Sequence, residues 1–107
     1  MPEGTTVHSL LRDLFNIHLN QFKDVSDYAT RFITIRRHLL SIDPNAVVPD
    51  FMINSLFLNR LGRNYFYFRI AMEKEPSLVD SVNPLPFHDL LLKTVDCERG
   101  LKALDEI

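Results

Sequence analysis

Apolar positions recur along this chain at intervals of three and four, and polar or proline-bearing breaks divide it into five segments that read as helices. The first runs from about Thr6 to Gln21. Val7, Leu11, Leu14, Phe15, His18 and Phe22 follow helical spacing, while Leu10 and Ile17 widen the stripe. A stripe that wide predicts two contact surfaces on one helix. The second segment opens at Asp24, whose carboxylate suits the free N–H groups of a first turn. Asp27 stands three residues on, where a capping-box acid reaches back. Val25, Tyr28, Phe32, Ile35 and Leu39 form its core face, and "SIDPN" ends it with Asp43, Pro44 and Asn45.

The third segment, about Pro49 to Leu61, starts with a proline suited to a first helical turn and stops at Gly62. On it, Phe51, Ser55 and Leu58 share one stripe and Met52, Leu56 and Asn59 the adjacent one. Phe57 and Leu61 follow the opposite side. The fourth, "RNYFYFRIAMEK", contains a "YFYF" that alone suits a strand. Gly62 before it and Asn64 as a cap favour a short helix. "EPSLVDSVNPLP", Glu75 to Pro86, is a proline-punctuated loop. The fifth helix runs from Phe87 to about Leu104, lined by Phe87, Leu91, Thr94, Val95, Leu101 and Leu104. Gly100 lies inside it at a cost of roughly 1 kcal/mol against alanine. With no convincing strand and no internal repeat, the pattern predicts an all-α, compact five-helix bundle. It forms a single helical domain over residues 1–107, of which 1–5 read as appended or flexible.

Composition narrows the function. The chain has 107 residues, 46% apolar and 24% charged, which suits one folded domain with its own core and argues against disorder. A net charge of −2 argues against a dedicated nucleic-acid or membrane module. The single cysteine, Cys97, excludes an internal disulfide and fits a reducing compartment. No apolar run approaches the roughly 20 residues of a membrane span, and "MPEGTTVHS" lacks the order of a secretion signal.

The chain carries little that resembles catalytic chemistry. His8, His18, His38 and His88 are scattered, without the spacing of a zinc site. There is no phosphate loop, nucleophile elbow or HExxH. No catalytic residue, metal or cofactor is expected, and the chain reads as a non-enzyme. "RLGRNYFYFR" surrounds Tyr65, Phe66, Tyr67 and Phe68 with Arg60, Arg63 and Arg69, a mixture that stacking platforms use. The reading preferred here is that the rings pack in the core and the arginines stay solvated at its edge. "IRRH", Ile35 to His38, adds Arg36 and Arg37, too few to hold phosphates by themselves.

"DVSDYATRF", Asp24 to Phe32, poses the sharper question. Arg31 projects close to the face that buries Tyr28 and Phe32. It reads either as an exposed partner of Asp27, four residues earlier, or as an inward group. The inward reading has it pinning the loop near Asn20 to Lys23 through its five donors.

"DYATRF" resembles the D-Y-x-x-R-F heart of the major homology region of retroviral capsid C-terminal domains. In that family the arginine braces the turn before this helix. "VPDFMINSLFLN", Val48 to Asn59, is similar to the second helix of the lentiviral domain, where an aromatic–methionine pair forms the dimer contact. Phe51 and Met52 hold those places. From Leu10 to Leu104 the chain looks closer still to the Gag protein of copia-type LTR retrotransposons, through Ser26, Tyr28, Arg31 and Phe32, then Leu58, Leu61 and Tyr65. It departs from these patterns in three ways. Gln21 lacks the glycine that follows the retroviral glutamine, Asp24 stands in for the acid, and Gly62 replaces a frequent proline. No Cys-rich zinc knuckle lies within the chain.

The resemblance implies a capsid C-terminal domain that dimerises or oligomerises to build a retrotransposon virus-like particle, in the cytoplasm, as part of transposition. Its partners would be itself and other Gag or capsid domains. No membrane is expected, and no nucleic acid through this chain alone. The implied structural motif is Asp24, Asp27, Tyr28, Arg31 and Phe32. The implied dimer interface is Phe51, Met52 and Ser55, with the wide stripe of Leu10, Leu14 and Ile17 as its competitor. Two alternatives stand beside this reading. One is a Gag-derived restriction factor that blocks particle assembly. The other is a helical nucleic-acid-binding domain using Arg36, Arg37, Arg60, Arg63 and Arg69.

Overall fold

Thr6 begins the first helix for a reason carried in its side chain. Its Oγ1 accepts the Ser9 N–H at 3.1 Å, and the Ser9 hydroxyl oxygen accepts the Thr6 N–H at 3.0 Å. This reciprocal capping box satisfies two amides that an unflanked helix start leaves open. The computed structural model describes residues 6–105, so the expectation for residues 1–5 lies outside the described residues. Helix α1 spans Val7–Phe15 and stops well short of the expected Gln21. The Asn16 side-chain amide donates to the Arg12 carbonyl at 2.7 Å, and its backbone N–H donates to Asp13. A side chain that satisfies the helix's last carbonyls removes the need for another turn. A short 3-10 turn follows at Leu19–Gln21, with the Gln21 side chain accepting the His18 N–H.

Helix α2, Val25–Ile42, forms as the stripe predicts, with Val25, Tyr28, Phe32, Ile35 and Leu39 all buried. Asp24 caps it by accepting the Asp27 N–H at 2.8 Å. Asp27 does not reach back; its carboxylate lies 3.6 Å from the Lys23 ammonium. The Val25 N–H is taken instead by Glu98, which arrives from the last helix at 2.8 Å. Helix α3, Asp50–Asn59, has Pro49 as its N-cap rather than inside the first turn. Helix α4 is Phe66–Glu73, so the "YFYF" run is helical. Helix α5 is Phe87–Asp105 and passes through Gly100 without a break. Among the described residues there is no strand, and the all-α expectation holds.

Helix α3 is the central element, in contact with α2, α5 and the 3-10 turn Pro76–Val79. It buries Ile53, Asn54, Phe57 and Leu58. The expected division of its faces therefore shifts: Leu58 turns inward. Four rings meet at the core. Tyr28 and Phe57 have centroids 4.9 Å apart, Tyr28 and Phe32 pack edge-on at 5.0 Å, and Phe57 and Phe87 do so at 5.1 Å. Such tilted and edge-on geometries suit the ring quadrupoles. The Tyr28 hydroxyl donates to the Phe57 carbonyl at 2.8 Å. That carbonyl lies in the last turn of α3, where its backbone partner is a long bond from the Arg60 N–H at 3.4 Å.

Two polar groups fix the surroundings of α3. Asp50 accepts from Arg36 of α2 at 2.7 Å through one oxygen and from the Phe87 N–H of α5 at 3.3 Å through the other. Asn54, fully buried, donates to the carbonyls of Leu78 and Leu85 at 2.9 and 2.7 Å. Those two bonds tie the Glu75–Pro86 connection to the core, and within it the Leu85 N–H donates to the Ser77 carbonyl at 2.7 Å and Asp80 accepts the Val82 and Asn83 N–H groups. In α5, Leu90 is buried with Phe87 and Thr94, whereas Leu104, expected in the core, is exposed. The folded chain is a slab of 51 × 31 × 17 Å, about two helix layers thick.

Two outcomes test this core. Burial holds the Tyr28 hydroxyl well above its ordinary value of 10.0, and burial, helped by Glu98 and Cys97, pushes Tyr65 up to about 12. Both shifts favour the neutral form in the fold. Their stabilisation is complete below pH 10 and is lost as pH rises toward the folded-state values. Tyr28→Phe should cost about 1–2 kcal/mol at neutral pH by leaving the Phe57 carbonyl without this donor. It should also make the fall in urea midpoint above pH 10 shallower than in wild type; an equally steep fall would contradict the assignment. Asn54→Ala should cost about 2–3 kcal/mol, and amide exchange should show the loss concentrated in residues 76–86.

Candidate functional site

The motif Asp24–Phe32 is built by the start of α2. Asp24 faces the helix amides, and Tyr28 and Phe32 point into the core as described above. Arg31 does not join them. It is exposed and lies along a shallow groove beside Phe22, Asp27, Thr30 and Thr34. Among the described residues it makes no hydrogen bond or ion pair, so the inward, loop-pinning reading is corrected. The expected surface pair with Asp27 is absent too, because Lys23 takes that carboxylate. The loop before α2 is held without it: Gln21 accepts the His18 N–H, Asp24 accepts the Asp27 N–H and Glu98 accepts the Val25 N–H.

The competing apolar stripe of α1 is also resolved. Leu10, Leu14 and Ile17 are all buried in the single core and do not form an interface. The stripe is wide because α1 lies on α2 along most of its length while Ile17, beyond the helix end, turns inward with the connection. Phe15, counted on the core stripe from spacing alone, is exposed.

At the start of α3 the expected residues do approach the surface. Met52 is 39% exposed, and Phe51 and Ser55 are half-buried beside it. Ser55 Oγ accepts weakly from the Asn59 side chain at 3.5 Å. The backbone beneath them is held firmly, since Asp50 ties this helix end to both α2 and α5. The arrangement can present an apolar patch in a fixed geometry. No group of three or more histidine, cysteine or acidic side chains is placed to hold a metal among the described residues. Among the same residues, no helix is long and apolar enough to cross a membrane.

A second surface belongs to the segment that the sequence offered as an alternative nucleic-acid reading. Of the four rings between Tyr65 and Phe68, Tyr65 is buried and Phe68 packs on the core, but Phe66 is 45% exposed and Tyr67 85% exposed. The expectation that all four rings pack inward fails because α4 is only eight residues long and rests on the core through one side. Adjacent positions on a helix point about 100° apart, so a run of four aromatics cannot all face one way. That rule was the available signal.

Arg31→Ala should change stability by no more than about 0.5 kcal/mol, as for an exposed side chain without partners. A shift in denaturant midpoint worth several times that would restore a structural role. Comparison with protein-family models, with curated proteins and with solved structures finds no match to this chain.

Proposed function

We propose that this chain is a self-association domain of the capsid C-terminal type, from a retrotransposon Gag, that helps to build a virus-like particle without any catalytic step. The observation that carries the reading is the apolar patch of Met52 and Phe51 at the start of α3, with the Ser55 hydroxyl beside it, on backbone braced from two neighbouring helices. In a two-fold contact the same patch meets itself, so each side chain acts twice per dimer. Aromatic anchors carry a large share of the energy in such contacts. Tyr28 and Phe32 support the reading as the buried half of the motif; exposed Arg31 does not contribute to it. A small patch gives a weak contact. Weak repeated contacts suit a closed shell, because each one can dissociate and re-form before an error is locked in. Partners under this reading are further copies of the chain and other capsid domains, inside the cell.

The double variant Phe51→Ala, Met52→Ala should yield a folded chain that sediments as a monomer at concentrations where wild type associates. Circular dichroism confirms folding. A folded variant that associates as wild type does rejects the α3 patch, and wild type that stays monomeric at all accessible concentrations rejects self-association through this chain.

A further inference from the structure

Three concavities, of about 270, 160 and 420 Å³, share the turn at Gly62 between α3 and α4. Together they are lined by Arg60, Arg63, Arg69 and His18, by three asparagines, and by no carboxylate. This segregation is notable in a chain whose net charge is −2. Gly62 makes the turn with φ of +95°, a conformation that side chains rarely adopt. Its open flank, with nothing within 4 Å of where a Cβ would stand, keeps the floor of the concavities clear.

Aromatic rings stand at the rim. Phe66 lines the first concavity, and the Arg69 guanidinium carbon sits 5.6 Å from its ring centroid. Tyr67 meets Phe66 edge-on at 5.4 Å and leaves 85% of itself in solvent. Among the cations, Arg63 has no hydrogen bond or ion pair among the described residues and is exposed. Arg60 lies 2.9 Å from the His18 ring. Glu73 lies 3.8 Å from Arg69, outside the concavities, and Glu98 acts electrostatically on Tyr65, which lines one of them. The Arg69 Nε is buried without a hydrogen bond, so this ion pair leaves a donor unused.

We propose that the Gly62 turn and the first turn of α4 form a binding surface for single-stranded nucleic acid. Arg60, Arg63 and Arg69 hold backbone phosphates, and Tyr67, backed by Phe66, stacks on a base. Charge complementarity selects a polyanion. The exposed Tyr67 ring, packed on Phe66, selects an unpaired base over a peptide carboxylate, because an unpaired base offers a free stacking face and a paired base does not. The surface is independent of the α3 patch and does not rest on the self-association reading. It takes up the alternative offered by the sequence over the preferred reading, in which the rings pack in the core and the arginines stay solvated at its edge.

The test is fluorescence anisotropy of the full chain with a labelled oligouridylate of about ten nucleotides, titrated over a range of salt. Wild type should bind, with log affinity falling against log salt at a slope of about −2, as three phosphate contacts on a single strand require. Arg63→Ala with Arg69→Ala should flatten that slope to less than about half. Tyr67→Ala should weaken binding by about fivefold or more with an unchanged circular dichroism spectrum. Glu73→Gln should tighten binding by removing a negative charge beside Arg69. Equal binding of oligodeoxythymidylate supports recognition through phosphate and base alone, and a preference for the uridylate supports added contact with the sugar hydroxyl. The proposal is overturned by absence of binding at low salt, by an unaffected Tyr67→Ala, or by a duplex or polyglutamate that competes as well as the single strand. The polyglutamate result would assign the surface to an acidic peptide.

Discussion

The hydrogen bond from Tyr28 to the Phe57 carbonyl joins two requirements that neither helix meets alone. A phenol brought into the core must place its hydroxyl on an acceptor or lose the stabilisation its ring supplies. Helix α3, ending at Asn59, must satisfy carbonyls that have no further turn above them. Each solves the other's problem at 2.8 Å. Once they are joined, Phe32, Phe57 and Phe87 have fixed rings to pack on, and α5 is drawn against α2 and α3. Just beyond the helix, the Arg60 carbonyl accepts the Leu19 N–H at 3.1 Å. The C-terminal end of α3 is therefore completed by α2 and by the connection that precedes α2.

The same economy governs the other helix ends. The start of α2 is closed by Asp24 and by Glu98 from α5, and the start of α5 by Asp50 from α3. Anionic groups at these sites also meet the positive end of the helix dipole. With backbone groups at the ends satisfied by side chains from neighbours, the exposed surface is free to vary. Both candidate surfaces, the Met52 patch and the Gly62 turn, lie on or beside α3, the element held from the most directions.

Helix α2 was legible from sequence because its apolar stripe is unbroken and its cap is local. The all-helical class followed from the same periodicity. The end of α1 was not legible, because Asn16 stops the helix through side-chain bonds while apolar residues continue at helical spacing into the turn beyond. Asn54 was missed because a polar residue in an apolar run reads as an outward position. Its burial depends on two carbonyls 24 and 31 residues away. The Arg36–Asp50–Phe87 bridge is hidden for the same reason. Of the candidate surface, Phe51, Met52 and Ser55 were readable as the less buried side of α3. Leu10, Leu14 and Ile17 were misplaced, since stripe width alone does not separate a deep core position from a second interface. Arg31 was misread because the groups that hold the loop behind it, Gln21, Asp24 and the distant Glu98, do so without a guanidinium.

The bond between the Val25 amide and Glu98 spans 73 residues. During synthesis, α1 to α4 emerge before the carboxylate that completes the first turn of α2 exists. Until Glu98 has been added and α5 has docked, that amide has only water as its acceptor. A fragment ending before Glu98 would keep the Tyr28 clamp and its aromatic partners on α2 and α3, yet leave the entry to α2 open. The last helix thus serves as the latch on the second, and the domain closes as a ring in sequence as well as in space.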